Sequence, residues 1–328
     1  MKIYCLICLF LCLSIQSCDN KLELNAPYKE TAVVYGLLNS NDDIQYIKVG
    51  RTFLGEGNVY DFAKIKDSLY FKYPIKVNII GRSANDIVQN ISCHTVEVPK
   101  DSGIFNSAPY LLYATPKVKL DSSLNYSLEV RKAANDSLIC SSNTNVVGSF
   151  YFINPPLSCA LYKTGKYNRF FLRWVTARNG IRYDVKLVFK YTESGSNGFS
   201  QIKEVHIPML TNLQGVGEAG TEQRVFLDGS QFYNAILGQV KPNPNVTRYI
   251  DKFVRVEFSV AALDLDKYLT VNGPVISLSD VKPEYTNIVN GLGLFSSRYF
   301  NTYTGILDEA SLEWLKSGEV TGNLGFVN

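Results

Sequence analysis

The side chains able to do chemistry in this chain are few and scattered. Histidine, the usual acid–base or metal residue near neutral pH, occurs twice, as His94 and His206, each in a strand-like run and neither with a second His or Cys at ligand spacing. Asp264 and Asp266 are a carboxylate pair of the kind a glycosidase uses, but Asp264 also stands where a helix N-cap is expected. No GxSxG nucleophile elbow occurs. Gly291-Leu292-Gly293 has neither the third glycine of a dinucleotide loop nor the lysine of a P-loop. The cluster Asn39-Ser40-Asn41-Asp42-Asp43 lacks the spacing and closing Glu of a calcium loop and reads as a turn. No catalytic set, metal site or cofactor is therefore expected.

Cysteine chemistry points elsewhere. The chain has 7 Cys, three of them in the first 17 residues. Cys93, Cys140 and Cys159 are widely spaced and form no CxxC, so one disulfide or plain core roles stay open. Cys18 is different. Met1-Lys2 precedes an apolar run, Ile3 to Ile15, and then Gln16-Ser17-Cys18. The run is about 13 residues, short of the about 20 that a helix needs to cross a bilayer. A positive start, a short apolar core and a small residue before the break read as a secretion signal, residues 1–17. Its end resembles a lipobox, which makes Cys18 the lipidated first residue of the mature protein and a lipid on Cys18 its contact with the membrane. Gln16 departs from the usual lipobox residue. Residues 18–30 form a polar tether.

The elements that must position anything functional are strands. The sequence has 21 Tyr and 18 Phe against 2 Trp, with 46% hydrophobic and 19% charged residues. Aromatics favour half-buried pleated surfaces, and such a composition folds. A net charge of +3 without a basic run excludes nucleic acid as a partner. Thr31 to Leu38 and Ile44 to Phe53 predict a hairpin. Ile75, Val77 and Ile79 alternate with polar residues, and so do Leu124, Tyr126, Leu128 and Val130. With weaker strands at 93–98, 111–114, 137–142 and 146–152, residues 31–153 predict an immunoglobulin-like β-sandwich.

Asn154-Pro155-Pro156 marks a boundary, because two adjacent prolines cannot join a sheet ladder. Residues 157–328 predict a second β-rich domain with two or three short helices. Phe170, Leu172 and Trp174 share one face, and Tyr183 to Tyr191 alternates after Asn179-Gly180, which predicts a hairpin turning at Asn179-Gly180. Strands are expected at 201–209 and 254–260, and flexible loops at 194–198 and 215–220. Helices are expected over 230–240, stopped by Pro242 and Pro244, from Asp264 through Leu269, and after Asp308. The fold class is mainly β, two sandwich-like domains.

One stretch carries a family resemblance. Asn287-Ile288-Val289-Asn290-Gly291-Leu292-Gly293-Leu294-Phe295 resembles the C-terminal signature of Bacteroidota outer-membrane lipoproteins of unknown function, with Asn287, Gly291, Gly293 and Phe295 as its turn. Val33 to Leu37 and Phe171 to Trp174 also look right for that family. The resemblance implies an N-terminal immunoglobulin-like sandwich, a second β-rich domain and company with TonB-dependent transporters; it brings no catalytic residues. Asp67-Ser68-Leu69 and Asp136-Ser137-Leu138 match the short O-glycan sites of exported proteins of that phylum. The expected function is a non-enzymatic, lipid-anchored outer-membrane protein, an accessory or ligand-capture subunit of a transporter or other envelope partner, facing the periplasm or the cell surface. A structural or adhesive surface lipoprotein is the second reading and a glycan or peptide hydrolase the third. Tyr70, Phe71, Tyr73, Tyr299 and Tyr303 are the candidate aromatic contact surface for a glycan or peptide ligand or a protein partner.

Overall fold

The computed structural model describes residues 30–52, 69–99, 110–195, 198–273 and 284–328. The expected secretion signal, Cys18, the expected tether to residue 29, and Asp67-Ser68 lie outside them. The fold is mainly β and sandwich-like. Eight strands precede the prolines: β1 (Ala32–Leu38), β2 (Tyr46–Arg51), β3 (Ile75–Ser83), β4 (Asp86–Ser92), β5 (His94–Val98), β6 (Tyr110–Ala114), β7 (Asn125–Lys132) and β8 (Leu138–Asn145). Ten short and long strands follow: β9 (Ser158–Cys159), β10 (Tyr162–Lys163), β11 (Lys166–Tyr167), β12 (Arg169–Val175), β13 (Arg182–Gly195), β14 (Ser200–Gln214), β15 (Glu222–Asp228), β16 (Val246–Ala261), β17 (Gly291–Leu307) and β18 (Phe326–Val327). Three helices, α1 (Gly229–Gln239), α2 (Leu263–Asn272) and α3 (Glu309–Ser317), interleave with them among the described residues.

The first core lies between two sheets. β4-β3-β7-β8 forms one, and β17-β1-β2-β6-β5 the facing part of a ten-stranded sheet ordered β14-β13-β16-β17-β1-β2-β6-β5, with β9 and β18 attached. Tyr126, Leu128 and Val130 of β7 point inward and are fully buried, while Asn125 is exposed and Ser127, Glu129 and Arg131 are only partly covered. They meet Val34 and Leu38 of β1 and Ile47 and Val49 of β2. Each such side chain contributes about 1.5–3 kcal/mol by leaving water. The predicted hairpin of β1 and β2 forms, with Gly36 opposite Ile47.

Strand β17 joins the two halves. Residues 291–297 pair parallel with β1, and residues 298–306 pair antiparallel with β16. Phe295 is buried in the first core, whereas Tyr299, Tyr303 and Leu307 are buried in the second. So although Asn154-Pro155-Pro156 separates most strands in sequence, a strand from the far side of it completes the first sandwich. Small polar residues sit at the crossing. Ser296 Oγ accepts from Leu265 N at 3.0 Å in the first turn of α2, and Ser297 Oγ accepts from Val147 N at 2.9 Å.

The second core packs β12 and β15 against β13, β16 and the latter half of β17, with α1 and α3 closing it. Asp308 caps α3 as expected, accepting from Ser311 N at 3.1 Å, and α1 ends at Gln239 before Pro242.

Four expectations are corrected. β12 and β13 are not a hairpin: β12 pairs with β15, and β13 with β14 and β16. Phe170, Leu172 and Trp174 bury themselves face-on against Tyr183, Leu187 and Phe258, so the Asn179-Gly180 corner carries the chain between sheets. Asn179 alone takes positive φ, at 61°, and its amide donates to Ser122 O and Val146 O across to the first sandwich. Residues 146–152 form no strand; Val146 and Val147 are buried linkers, and only Phe152 bridges to Trp174. Ser194 and Gly195, expected in a loop, are the last residues of β13, while 196–197 lie outside the described residues and β14 begins at Ser200. Asp264 does not cap α2: the N-cap is Ala262, and Asp264 accepts instead from the Tyr285 hydroxyl at 2.6 Å.

Candidate functional site

The residues singled out by sequence do not converge. His94 and His206 are both exposed, on β5 and β14 at opposite ends of the large sheet, and no group of metal-ligating side chains exists among the described residues. Asp266 turns to Arg182 at 3.8 Å, away from the Tyr285-bound Asp264. Cys93, Cys140 and Cys159 are free thiols. Burial pushes them up, Cys93 to about 12 and Cys140 to about 11, and raises Cys159 further. They are inert packing residues at neutral pH. Ser137 lies in the exposed turn between β7 and β8.

The signature turn is an assembly device. Gly293 has φ of 113°, and a Cβ there would collide with the Val34 carbonyl oxygen. A Cβ on Gly291 would come within 2.7 Å of Ile288 Cγ2. Both glycines let β17 enter against β1 at close range.

The expected aromatic surface divides. Tyr299 and Tyr303 are 6% and 7% exposed and face the second core, so they offer no contact surface. The reason is parity: in β17 they share the inward face with Phe295. Tyr70, Phe71 and Tyr73 are half-buried and staple the start of the sandwich. The Tyr70 hydroxyl accepts from Leu111 N at 3.1 Å, Tyr73 donates to Glu30 at 2.8 Å, and Phe71 packs on the core.

The outward face holds a better site. A cavity of about 590 Å³ opens where the two halves meet, on the exposed face of β17, β1 and β2. Its floor carries Tyr35, Tyr46 and Phe300, each a little under half exposed, at 46%, 48% and 43%. Tyr35 pairs with Lys48 across the β1–β2 ladder, and Tyr46 lies two residues from Lys48, so Tyr35 and Tyr46 are diagonal neighbours on one face. Tyr268 of α2 forms one wall, and α2 is held there by Leu265 against Leu294. Asp42, in the 39–45 loop, also lines the cavity.

That loop is rigidly built. Gln45 is 2% exposed; it accepts from Asn39 N at 2.8 Å and donates to the carbonyls of Asn39 and Asp42 at 3.0 and 2.8 Å. Asn41 Nδ2 donates to Phe300 O at 3.0 Å, which ties the loop to β17. The cavity therefore stands preformed between two fixed walls. Its cation is Arg298, whose guanidinium lies 4.9 Å from the Phe300 ring centre. Burial, with Tyr268 and Glu284 beside it, pushes the Tyr35 hydroxyl above its ordinary value and keeps it a neutral donor.

Two other hollows are filled by their own chemistry. One of about 590 Å³ surrounds Arg248, but its guanidinium already donates to Glu193 and to the carbonyls of Lys241 and Leu324. Another of about 500 Å³ adjoins the junction cavity across Ser259 and Phe300. There Arg182 pairs with Asp184 at 3.0 Å and Lys186 with Glu257 at 3.2 Å.

Sequence reasoning passed over Tyr35, Tyr46, Tyr268, Arg298 and Phe300. A signal existed for Phe300: within Tyr299-Phe300 only one ring can face the core, and Phe295 fixes which parity is inward.

No family model and no curated protein matches this chain. Among solved structures it is similar to the C-terminal globular domain of oligosaccharyltransferase from Pyrococcus abyssi, at 10% identity and a TM-score of 0.26, over 86% of this chain and 52% of that one. The chain thus spans about half the length of that structure.

Proposed function

We propose that the protein is a non-enzymatic, lipid-anchored envelope protein of the outer membrane whose β body captures a ligand beside a transporter. The observation that carries the reading is the junction cavity: aromatic floor, fixed walls and a few polar groups, the make-up of a binding site rather than a core defect. Its volume of about 590 Å³ is that of a small ligand or one end of a chain. Cys18 after its short apolar run supports the anchor, and the Asn287–Phe295 signature supports the company of a transporter. The hydrolase reading gains no support from Asp264 and Asp266, which are engaged with Tyr285 and Arg182.

A photo-crosslinking side chain placed at Tyr46 in intact cells tests the capture reading. Crosslinks to an envelope glycan, peptide or transporter are expected. Crosslinks absent at Tyr46 but abundant elsewhere on the surface would overturn it.

A second reading, an adhesive or structural protein, is favoured by the outer face of β12 and β15. Phe171 and Phe226 stand directly opposite one another there, about half exposed at 54% and 48%, with Arg169 4.5 Å above the Phe226 ring. Crosslinks from position 226 to a surface polymer, with none from position 46, would move the assignment to this reading.

A further inference from the structure

Three arginines lie along the outward face of β13, β16 and β17, and two of them are neutralised. Arg182 pairs with Asp184 at 3.0 Å, and Arg255 with both Glu204 and Glu257 at 3.1 Å. The Arg298 side chain makes no ion pair and no hydrogen bond with any described residue; among them it meets the Phe300 ring, at 4.9 Å. It lines the junction cavity, where the ring holds its planar fork in place. Such a guanidinium presents parallel N–H donors whose spacing fits the two oxygens of a carboxylate.

The rest of the cavity narrows the ligand. Asp42 also lines the cavity, and Glu284 acts on Tyr35. With these two carboxylates beside a single lining cation, a dianionic phosphate is disfavoured and a single negative charge is suited. Asp42 accepts hydrogen bonds only, so the ligand brings hydroxyl or N–H donors. Tyr35 and Tyr46, diagonal on the sheet, form a platform longer than one ring. We propose that the junction cavity binds a ligand whose single carboxylate is held by Arg298, whose body lies on Tyr35 and Tyr46, and whose donors reach Asp42. Two sources share this chemistry: an oligosaccharide ending in one uronic acid and the free C-terminus of an apolar peptide. The inference rests on the capture reading and deepens it.

Calorimetric titration of the full-length protein in detergent tests it, with two acid ligands and their neutral twins. The first pair is a trisaccharide with one terminal uronic acid and its carboxyl-reduced form; the second is an apolar tripeptide and its C-terminal amide. One acid is expected to saturate the protein, with its neutral twin weaker by about tenfold or more, the loss of a charge-assisted pair. Arg298→Gln should weaken the acid by the same factor and leave the neutral twin unchanged. Arg298 is exposed, so its thermal midpoint should stay within about 1 °C of the parent. Which pair responds identifies the source. Equal binding of acid and twin, or an acid unaffected by Arg298→Gln, overturns the carboxylate inference; if that binding still disappears in Tyr46→Ala, the cavity remains the capture site. No saturation by either acid at millimolar concentration also overturns the inference, while the capture reading stands or falls on the crosslinks from position 46.

Discussion

The side chain of Asn287 closes both main-chain groups of Phe295 that point away from β1. Its Nδ2 donates to Phe295 O at 2.7 Å, and its Oδ1 accepts from Phe295 N at 3.0 Å. At this point β17 pairs with β1 on one side only, because β16 joins it from Arg298 onward. One carboxamide thus does the work of a neighbouring strand at the entry to the sandwich. The Asn287 carbonyl in turn accepts from Ser142 Oγ at 2.8 Å, linking the turn to β8 in the opposite sheet.

Asn287→Ala leaves a donor and an acceptor without protein partners. Each costs about 1–3 kcal/mol when buried, and Asn287 is only partly buried, so about 2–3 kcal/mol in total is expected from urea unfolding. Asn287→Asp keeps the acceptor but sets a carboxylate against the Phe295 carbonyl. Protonation restores a donor, and the opposing carbonyl raises the folded carboxyl, so the Asp variant should recover stability as pH falls toward about 4, the unfolded value. A loss under about 0.5 kcal/mol for the Ala variant would remove Asn287 from this role.

Gly293→Ala is expected to be worse. A positive φ of 113° is strained for any side chain, and the added methyl strikes the Val34 carbonyl within the β1–β17 ladder. Gly165→Ala is the control, since Gly165 has φ of 77° with open space around it. The control should cost about 1 kcal/mol from backbone conformation alone. The Gly293 variant should lose several times that or fail to accumulate as folded protein.

Much of this build was legible in the sequence, and the misses have physical causes. Period-two runs such as Tyr126-Leu128-Val130 announced half-buried strands because one face of an antiparallel sheet meets solvent. Strand β4 gave no such signal: it is an edge strand, and its Ile87 and Val88 are both 58% exposed, so no burial enforces alternation. The β12–β13 hairpin misled because local turn chemistry at Asn179-Gly180 cannot say which sheet the next strand joins. The junction cavity was illegible for a different reason. Tyr35, Tyr268 and Arg298 are brought together by the parallel pairing of β1 with β17, a long-range contact without local periodicity.

The paired charges on the outer face predict a modest acid sensitivity. Partial burial alone would raise the Glu257 carboxyl, but Lys186 and Arg255 outweigh it and hold the group below its ordinary value. A depressed folded value means the pairing stabilises the protein above the unfolded carboxylate range and is lost as pH falls through the folded one. Below about pH 4 stability should decline, and Glu257→Gln should remove part of that slope. Glu257 is about a third exposed, its side chain at 31%, so solvent screening limits the effect to under about 1 kcal/mol. Identical acid slopes for parent and variant would assign the acid sensitivity elsewhere.

Neighbours of opposite parity in β17 should respond oppositely. Tyr303 is buried, its ring 6.1 Å from Phe152 and 6.0 Å from Phe170, and its hydroxyl donates to the Pro156 carbonyl. Tyr303→Ala should cost about 3–5 kcal/mol, as truncation of a core aromatic does. Phe300, 43% exposed over the junction cavity, should cost under about 1 kcal/mol when changed to Ala. Its loss should instead be felt in ligand binding, because Arg298 loses the ring that orients it. Similar losses of stability for both would contradict the assignment of faces.

The anchor can be separated from the body. Cys18 lies outside the described residues, which begin at Glu30, and Cys93, Cys140 and Cys159 are free thiols inside or beside the two cores. On the proposed anchoring, in which an acylated Cys18 supplies the hydrophobic attachment, Cys18→Ser should move the protein from the membrane fraction to the soluble fraction. Its thermal midpoint should match the parent, and its affinity at the junction cavity should be unchanged in solution. On the proposed function, ligand delivery in cells should fall all the same, since a tether would hold the protein at high local concentration beside its proposed membrane partner. A Cys18→Ser protein that stayed with the membrane would leave the lipid anchor without support, and one that unfolded would show that the leader is part of the body.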